Sequence, residues 1–121
     1  MRLEQRRSRI EVAMPALGMV SLVVDVTSFT EKGFIGTSSF SGKAVSIEFD
    51  DGDKGVFLNH EMAERLSVKK GSALSVVVED DNTQMMRMTV SGVGATIRIS
   101  SARLYFAVGK EGGAIIKIQK G

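Results

Sequence analysis

Apolar residues recur at every second position along most of this chain, and that period restricts its fold more than any other feature. Successive strand side chains point to opposite faces of a sheet, so an alternating segment buries one face and wets the other. Ile10, Val12 and Met14 alternate in this way, as do Val20, Leu22, Val24 and Val26. Phe34 and Ile35 mark a shorter candidate, and Val45, Ile47 and Phe49 another. Val56 to Leu58 comes next, then Leu74, Val76 and Val78, then Met86, Met88 and Val90. Ala95, Ile97 and Ile99, then Leu104, Phe106 and Val108, then Ala114, Ile116 and Ile118 complete the series. Residues that tolerate positive φ or form side-chain turns separate these runs at 31–33, 41–43, 50–53, 80–82, 91–92 and 110–113. The pattern predicts an all-β fold, a small antiparallel β-barrel of about ten short strands.

One segment departs from the period. Asn59 can cap a helix over His60–Leu66, with Met62 and Leu66 on one face and Glu61 and Arg65 paired at i,i+4 on another. Val68-Lys69-Lys70-Gly71 then turns the chain into the next strand. Residues 39–49 align with 89–99 at an offset of 50, with Ser41, Gly42 and Ile47 matching Ser91, Gly92 and Ile97. Either the barrel carries a pseudo-twofold internal repeat, with halves at about 17–66 and 67–116, or the likeness is the common look of turn plus alternation.

The 121 residues suit one domain, read here as a β-barrel over 10–121 behind a basic N-terminal arm at 1–9. Cysteine is absent and His60 is the sole histidine. A disulfide framework, a thiolate site, a cysteine nucleophile and a His-rich zinc site are therefore excluded within one chain. Arg2, Arg6, Arg7 and Arg9 precede an apolar-rich stretch, in the manner of a secretory leader. Glu4 and Glu11 interrupt the basic part, however, while Pro15 and Gly18 break the apolar part. No run reaches the ~20 apolar residues that span a bilayer. The expectation is a cytoplasmic protein with no membrane partner.

Few residues combine into chemistry. Asp50-Asp51-Gly52-Asp53 reads as a hairpin turn, since EF-hand spacing and its closing glutamate are missing. Gly109-Lys110-Glu111-Gly112-Gly113 reads as a hairpin loop, without the order of a phosphate-binding loop. His60 opens the helix and faces solvent, and no serine sits on a strand-to-helix elbow beside it. Met86 and Met88 should point inward and Met85 outward. No convergent acid–base set is visible, so no catalytic residue, metal or cofactor is assigned.

The arm is the most informative feature. Arginine forks onto phosphate oxygens, so Arg2, Arg6, Arg7 and Arg9 suit phosphate contacts, with Lys69, Lys70 and Arg103 as secondary candidates. Most phenylalanines sit at inward positions, which leaves Tyr105, flanked by Arg103, as the stacking candidate.

Residues 56–79 resemble the strand, short helix, turn and strand unit of cradle-loop barrels, among them AbrB-type transcription factors and double-psi barrels. The pattern is Val56-Phe57-Leu58, a helix with Ala63, Arg65 and Leu66, then Val68-Lys69-Lys70-Gly71. That resemblance implies barrel topology rather than a chemistry. The N-terminal half also resembles the PilZ family, which binds cyclic di-guanylate. The arm stands where that family has its arginine motif, and Asp25-Val26-Thr27 with Gly33 stands where it has D-x-S-x-x-G. It implies a nucleotide site with Arg6, Arg7 and Arg9 on phosphates and Asp25 and Thr27 on a base.

Three functions follow as expectations. The first is a non-enzymatic binding module, nucleic-acid-binding or regulatory, using the arm for phosphate. The second is a PilZ-like receptor for a cyclic dinucleotide. The third is an assembly subunit that meets a protein partner, or further copies of itself, through exposed strand edges.

Overall fold

A computed structural model describes residues 18–79 and 84–121. The arm with Arg2, Arg6, Arg7 and Arg9, and the expected strand of Ile10, Val12 and Met14, lie outside the described residues. The chain runs β1 (Met19–Phe29), β2 (Gly33–Phe40), β3 (Lys43–Asp50), β4 (Gly55–Asn59), α1 (His60–Leu66), β5 (Ala73–Glu79), β6 (Gln84–Gly94), β7 (Ile97–Ser100), α2 (Ala102–Glu111) and β8 (Gly113–Lys120). The strands close into a barrel in the order β1-β2-β3-β7-β4-β6-β5-β8. Closure leaves the inward side of the period-two pattern as one core. Leu22, Phe34, Ile47, Phe49, Leu58, Leu74, Ile97, Ile99 and Ile116 are almost fully buried within it.

Each strand runs opposite to its predecessor in sequence, so connections fall alternately at the two ends of the barrel. One end carries the β2–β3 hairpin, α1 with its following turn, and the chain at Gly18 and Gly121. The other carries the β1–β2 turn, the β3–β4 loop and α2. Each helix plugs its end with apolar side chains: Met62, Ala63 and Leu66 from α1, Leu104 and Val108 from α2. Asn59 caps α1 as expected, its Oδ1 accepting the Met62 N–H at 2.8 Å.

The barrel differs from expectation in several places. It has eight strands among the described residues rather than ten. It is not wholly antiparallel, because β3 pairs with β7 and β4 with β6 in parallel. The stretch expected as a strand at Leu104, Phe106 and Val108 is helix α2. Leu104 and Val108 satisfy a period of two and a period of 3.6 equally, but Phe106 is 64% exposed. Ser101 Oγ accepts the Leu104 N–H and starts the helix. Gly112, at φ 74°, ends it in the left-handed conformation. The glycine-rich 109–113 stretch is thus a helix C-terminus, not a hairpin loop.

Ser91 and Gly92 do not turn the chain either. β6 continues through them to Gly94, with a register shift against β4 between Val56 and Phe57. Nor is 50–53 a tight hairpin, since β7 lies between β3 and β4. The offset of 50 reappears as a pairing: Ile47 faces Ile97 and Phe49 faces Ile99 across parallel strands. It does not extend to matching halves, because β2 pairs directly with β3 whereas β4 separates β6 from β7.

Candidate functional site

The two barrel ends differ in charge. Among the described residues, five exposed cations, Lys43, Arg65, Lys69, Lys70 and Lys120, lie around α1 against two carboxylates, Glu61 and Glu64. Their positions follow from local structure. Lys43 faces Phe40 across the β2–β3 hairpin. The Arg65 guanidinium lies over the Phe40 ring, 5.8 Å from its centroid, rather than pairing with Glu61 as the spacing suggested. A cation on a ring face is attracted by the ring quadrupole, which fixes this long side chain in place. Ser72 Oγ accepts the Lys69 N–H at 3.0 Å, which holds the turn bearing Lys69 and Lys70. Gly18 packs beside Lys120 and the end of α1, so the start of β1 lies at this same end.

Around α2 the charges of the described residues nearly balance. Glu31, Asp50, Asp51, Asp53, Glu79 and Glu111 meet Lys32, Lys54, Arg87, Arg98, Arg103, Lys110 and Lys117, the last paired with Glu79. A cavity of about 400 Å³ opens there between β6, the β3–β4 loop and the start of α2. Its floor includes Met86 and Met88, and its rim Lys54, Arg87, Ser91 and Ala102. A hydrogen-bond lock shapes the rim. Ser100 Oγ donates to Asp50 Oδ1 at 2.6 Å and accepts the Lys54 N–H at 3.2 Å. Gly52 N–H also donates to Asp50 Oδ1, and Arg98 Nε stands 3.7 Å from Oδ2. Ser91 Oγ donates to the Lys54 carbonyl. Burial works against the Asp50 carboxylate. The bonds from Ser100 and Gly52, with the positive charge of Arg98 and Lys54, outweigh it and hold the pKa below its ordinary value.

The expected residues are therefore dispersed. Lys69 and Lys70 stand together at the α1 end, while Arg103 is exposed on α2 at the opposite end and shares no surface with them. Asp25 and Thr27 are exposed on β1, where Thr27 Oγ1 donates to the Ile35 carbonyl. Gly33 is buried, and a side chain there would strike the Phe49 carbonyl, so its close packing alone accounts for a glycine. His60 opens α1 and is exposed. Met85 faces out, 64% exposed, and Met86 and Met88 pack toward the core, as the alternation indicated.

Tyr105 is half-buried against Phe34 and Phe106, and the exposed aromatics are Phe29 and Phe106 instead. No group of three or more metal-ligating side chains occurs among the described residues. No described helix is long and apolar enough to cross a membrane. In comparisons with protein-family models, curated proteins and solved structures, nothing matches this chain.

Proposed function

We propose that the protein is a non-catalytic module that binds a polyanion, a single-stranded nucleic acid, at the α1 end of its barrel. The observation that carries the reading is the segregation of charge. Among the described residues five cations against two carboxylates surround α1, and Gly18, which follows the segment bearing Arg2, Arg6, Arg7 and Arg9 in sequence, lies at the same end. Cations on one face attract phosphates and release counterions on binding, whereas the opposite end, where charges nearly balance, offers no such excess. Arg103 lies outside this surface.

The test is fluorescence anisotropy with a labelled single-stranded oligonucleotide across a salt series. Affinity should fall with salt by roughly 0.7 log units per log unit for each phosphate neutralised on a single strand. Lys69→Glu combined with Lys70→Glu should lower both the affinity and that slope, and Arg103→Glu should leave both nearly unchanged. A salt-independent affinity, or an equal loss on Arg103→Glu, would refute the assignment. Cyclic di-guanylate added as competitor separates a dinucleotide receptor from an oligonucleotide binder.

A further inference from the structure

β6 is longer than the strand beside it, and this leaves part of one edge without a partner among the described residues. β4 pairs with β6 only from Val56 opposite Val90 onward. The first half of β6, from Gln84 to Thr89, pairs with β5 on its other side alone. Val90 exchanges its backbone bonds with Ser72 and Gly71, on the β5 side. Backbone groups alternate in direction along an antiparallel strand. Those of Met88 and Met86 therefore face β5, and the N–H and C=O of Met85 and Arg87 face away from it. Arg87 lines the cavity of about 400 Å³, whose floor is Met86 and Met88, and Met85 is the next outward residue along the same edge. An unpaired strand edge beside an apolar floor is a template for strand addition.

We propose that this edge receives an extended polypeptide segment from a partner protein, apolar at alternate positions and carrying a carboxylate between them. Backbone bonds to Met85 and Arg87 set the register. The inward side chains of the added strand rest on Met86 and Met88. On the outer face one side chain covers exposed Met85, and the carboxylate meets Arg87. Arg87 and Lys54 are exposed at this rim, and neither has a carboxylate within ion-pair distance among the described residues. Asp53 lines the same rim, so Lys54 and Arg87 leave it with one net positive charge, and that complementarity favours an acidic strand over a basic one.

A second copy of this chain fits less well. Its β6 brings β5 along on the far edge, against the β3–β4 loop that Ser91 and Ser100 hold in place. The site lies at the opposite end from the polyanion surface, so it stands or falls independently of that reading.

The probes are two capped synthetic hexapeptides, Thr-Val-Glu-Val-Thr-Val and the same sequence with lysine for glutamate. The glutamate peptide should bind the full-length protein at least about tenfold more tightly, and it should slow hydrogen exchange at the Met85 and Arg87 amides. Arg87→Glu should invert the preference. Arg87→Pro removes an N–H that no described strand uses and should abolish binding; if that variant fails to fold, the Arg87→Glu inversion decides alone. Four outcomes overturn the proposal. Neither peptide binds at millimolar concentration. Arg87→Glu leaves the preference unchanged. Exchange slows elsewhere but not at Met85 and Arg87. Light scattering shows a dimer that Arg87→Glu dissociates, which would make the occupant a second copy.

Discussion

Replacing Ser100 with alanine deletes one oxygen, yet that oxygen ties three segments of the α2 end together. It donates to Asp50 at the end of β3, accepts the Lys54 N–H of the β3–β4 loop, and belongs to β7. Ser100 is 1% exposed, so water cannot readily take its place. A hydrogen bond to a charged group contributes about 1.5–3 kcal/mol net. The Asp50 side chain keeps 23% of its exposure, which places the loss in the lower half of that range, about 2 kcal/mol. For a chain of this length that is roughly 6–10 °C in Tm.

The pH dependence is more diagnostic. The folded pKa of Asp50 lies below its unfolded value, so its stabilisation is present above the unfolded value of about 3.9 and is lost as pH falls through the folded one. Ser100→Ala should therefore cost its full amount near neutral pH and progressively less as pH falls through the folded value. Urea denaturation near neutrality and down an acid series measures the differences. Where acid alone unfolds the protein, a double-mutant cycle with Asp50→Asn near neutrality isolates the same coupling. A neutral-pH loss below about 0.5 kcal/mol, or a coupling near zero in the cycle with Asp50→Asn, would show that Ser100 does not act through the ionised carboxylate.

Two further substitutions test the reassignment of 102–111 from strand to helix. Leu104→Ala should cost about 3 kcal/mol by denaturant midpoint, whereas Phe106→Ser should stay within about 0.5 kcal/mol; a core-sized loss at Phe106 would restore the strand. Ser38 is 7% exposed, and its hydroxyl has no hydrogen-bond partner among the described residues. Ser38→Ala should raise stability by up to about 1 kcal/mol, seen as a higher Tm, and a drop instead would show that the hydroxyl is bonded.

The inward rows of the barrel were legible because burial of one face imposes a period of two whatever the neighbouring strand is. Val20, Leu22 and Val24, or Leu74 and Val76, sit in the core for that reason alone. Pairing was not legible. β7 lies between β3 and β4, and the parallel contacts Ile47–Ile97 and Val56–Val90 join residues far apart in sequence. Nothing in the alternation of a strand names its partner. Ser91-Gly92 shows the same limit from the other side. A glycine that signals a turn between free strands serves here to pass a bulge, because β6 has β4 to pair with beyond it.

The candidate sites depend on pairing and on the parity of the connections. The charged residues of every turn can be read from sequence, but the end of the barrel each turn occupies is set by how many strands precede it. His60–Leu66 was legible as a helix through its cap and short apolar face, so Lys69 and Lys70 fall at the correct end. Residues 102–111 were not, because Leu104 and Val108 fit both periods. Read as a strand, that segment reverses β8 and carries Lys120 to the α2 end, away from Arg65 and Lys70. The open edge of β6 was hidden differently. It exists because an eleven-residue strand runs past the start of a five-residue neighbour, and the register that sets the overhang, Val56 opposite Val90, joins strands far apart in sequence. A polar surface formed from alternate turns and a groove formed from mismatched strand lengths are both products of topology, so one misassigned element is enough to dissolve the first, and a misjudged register the second.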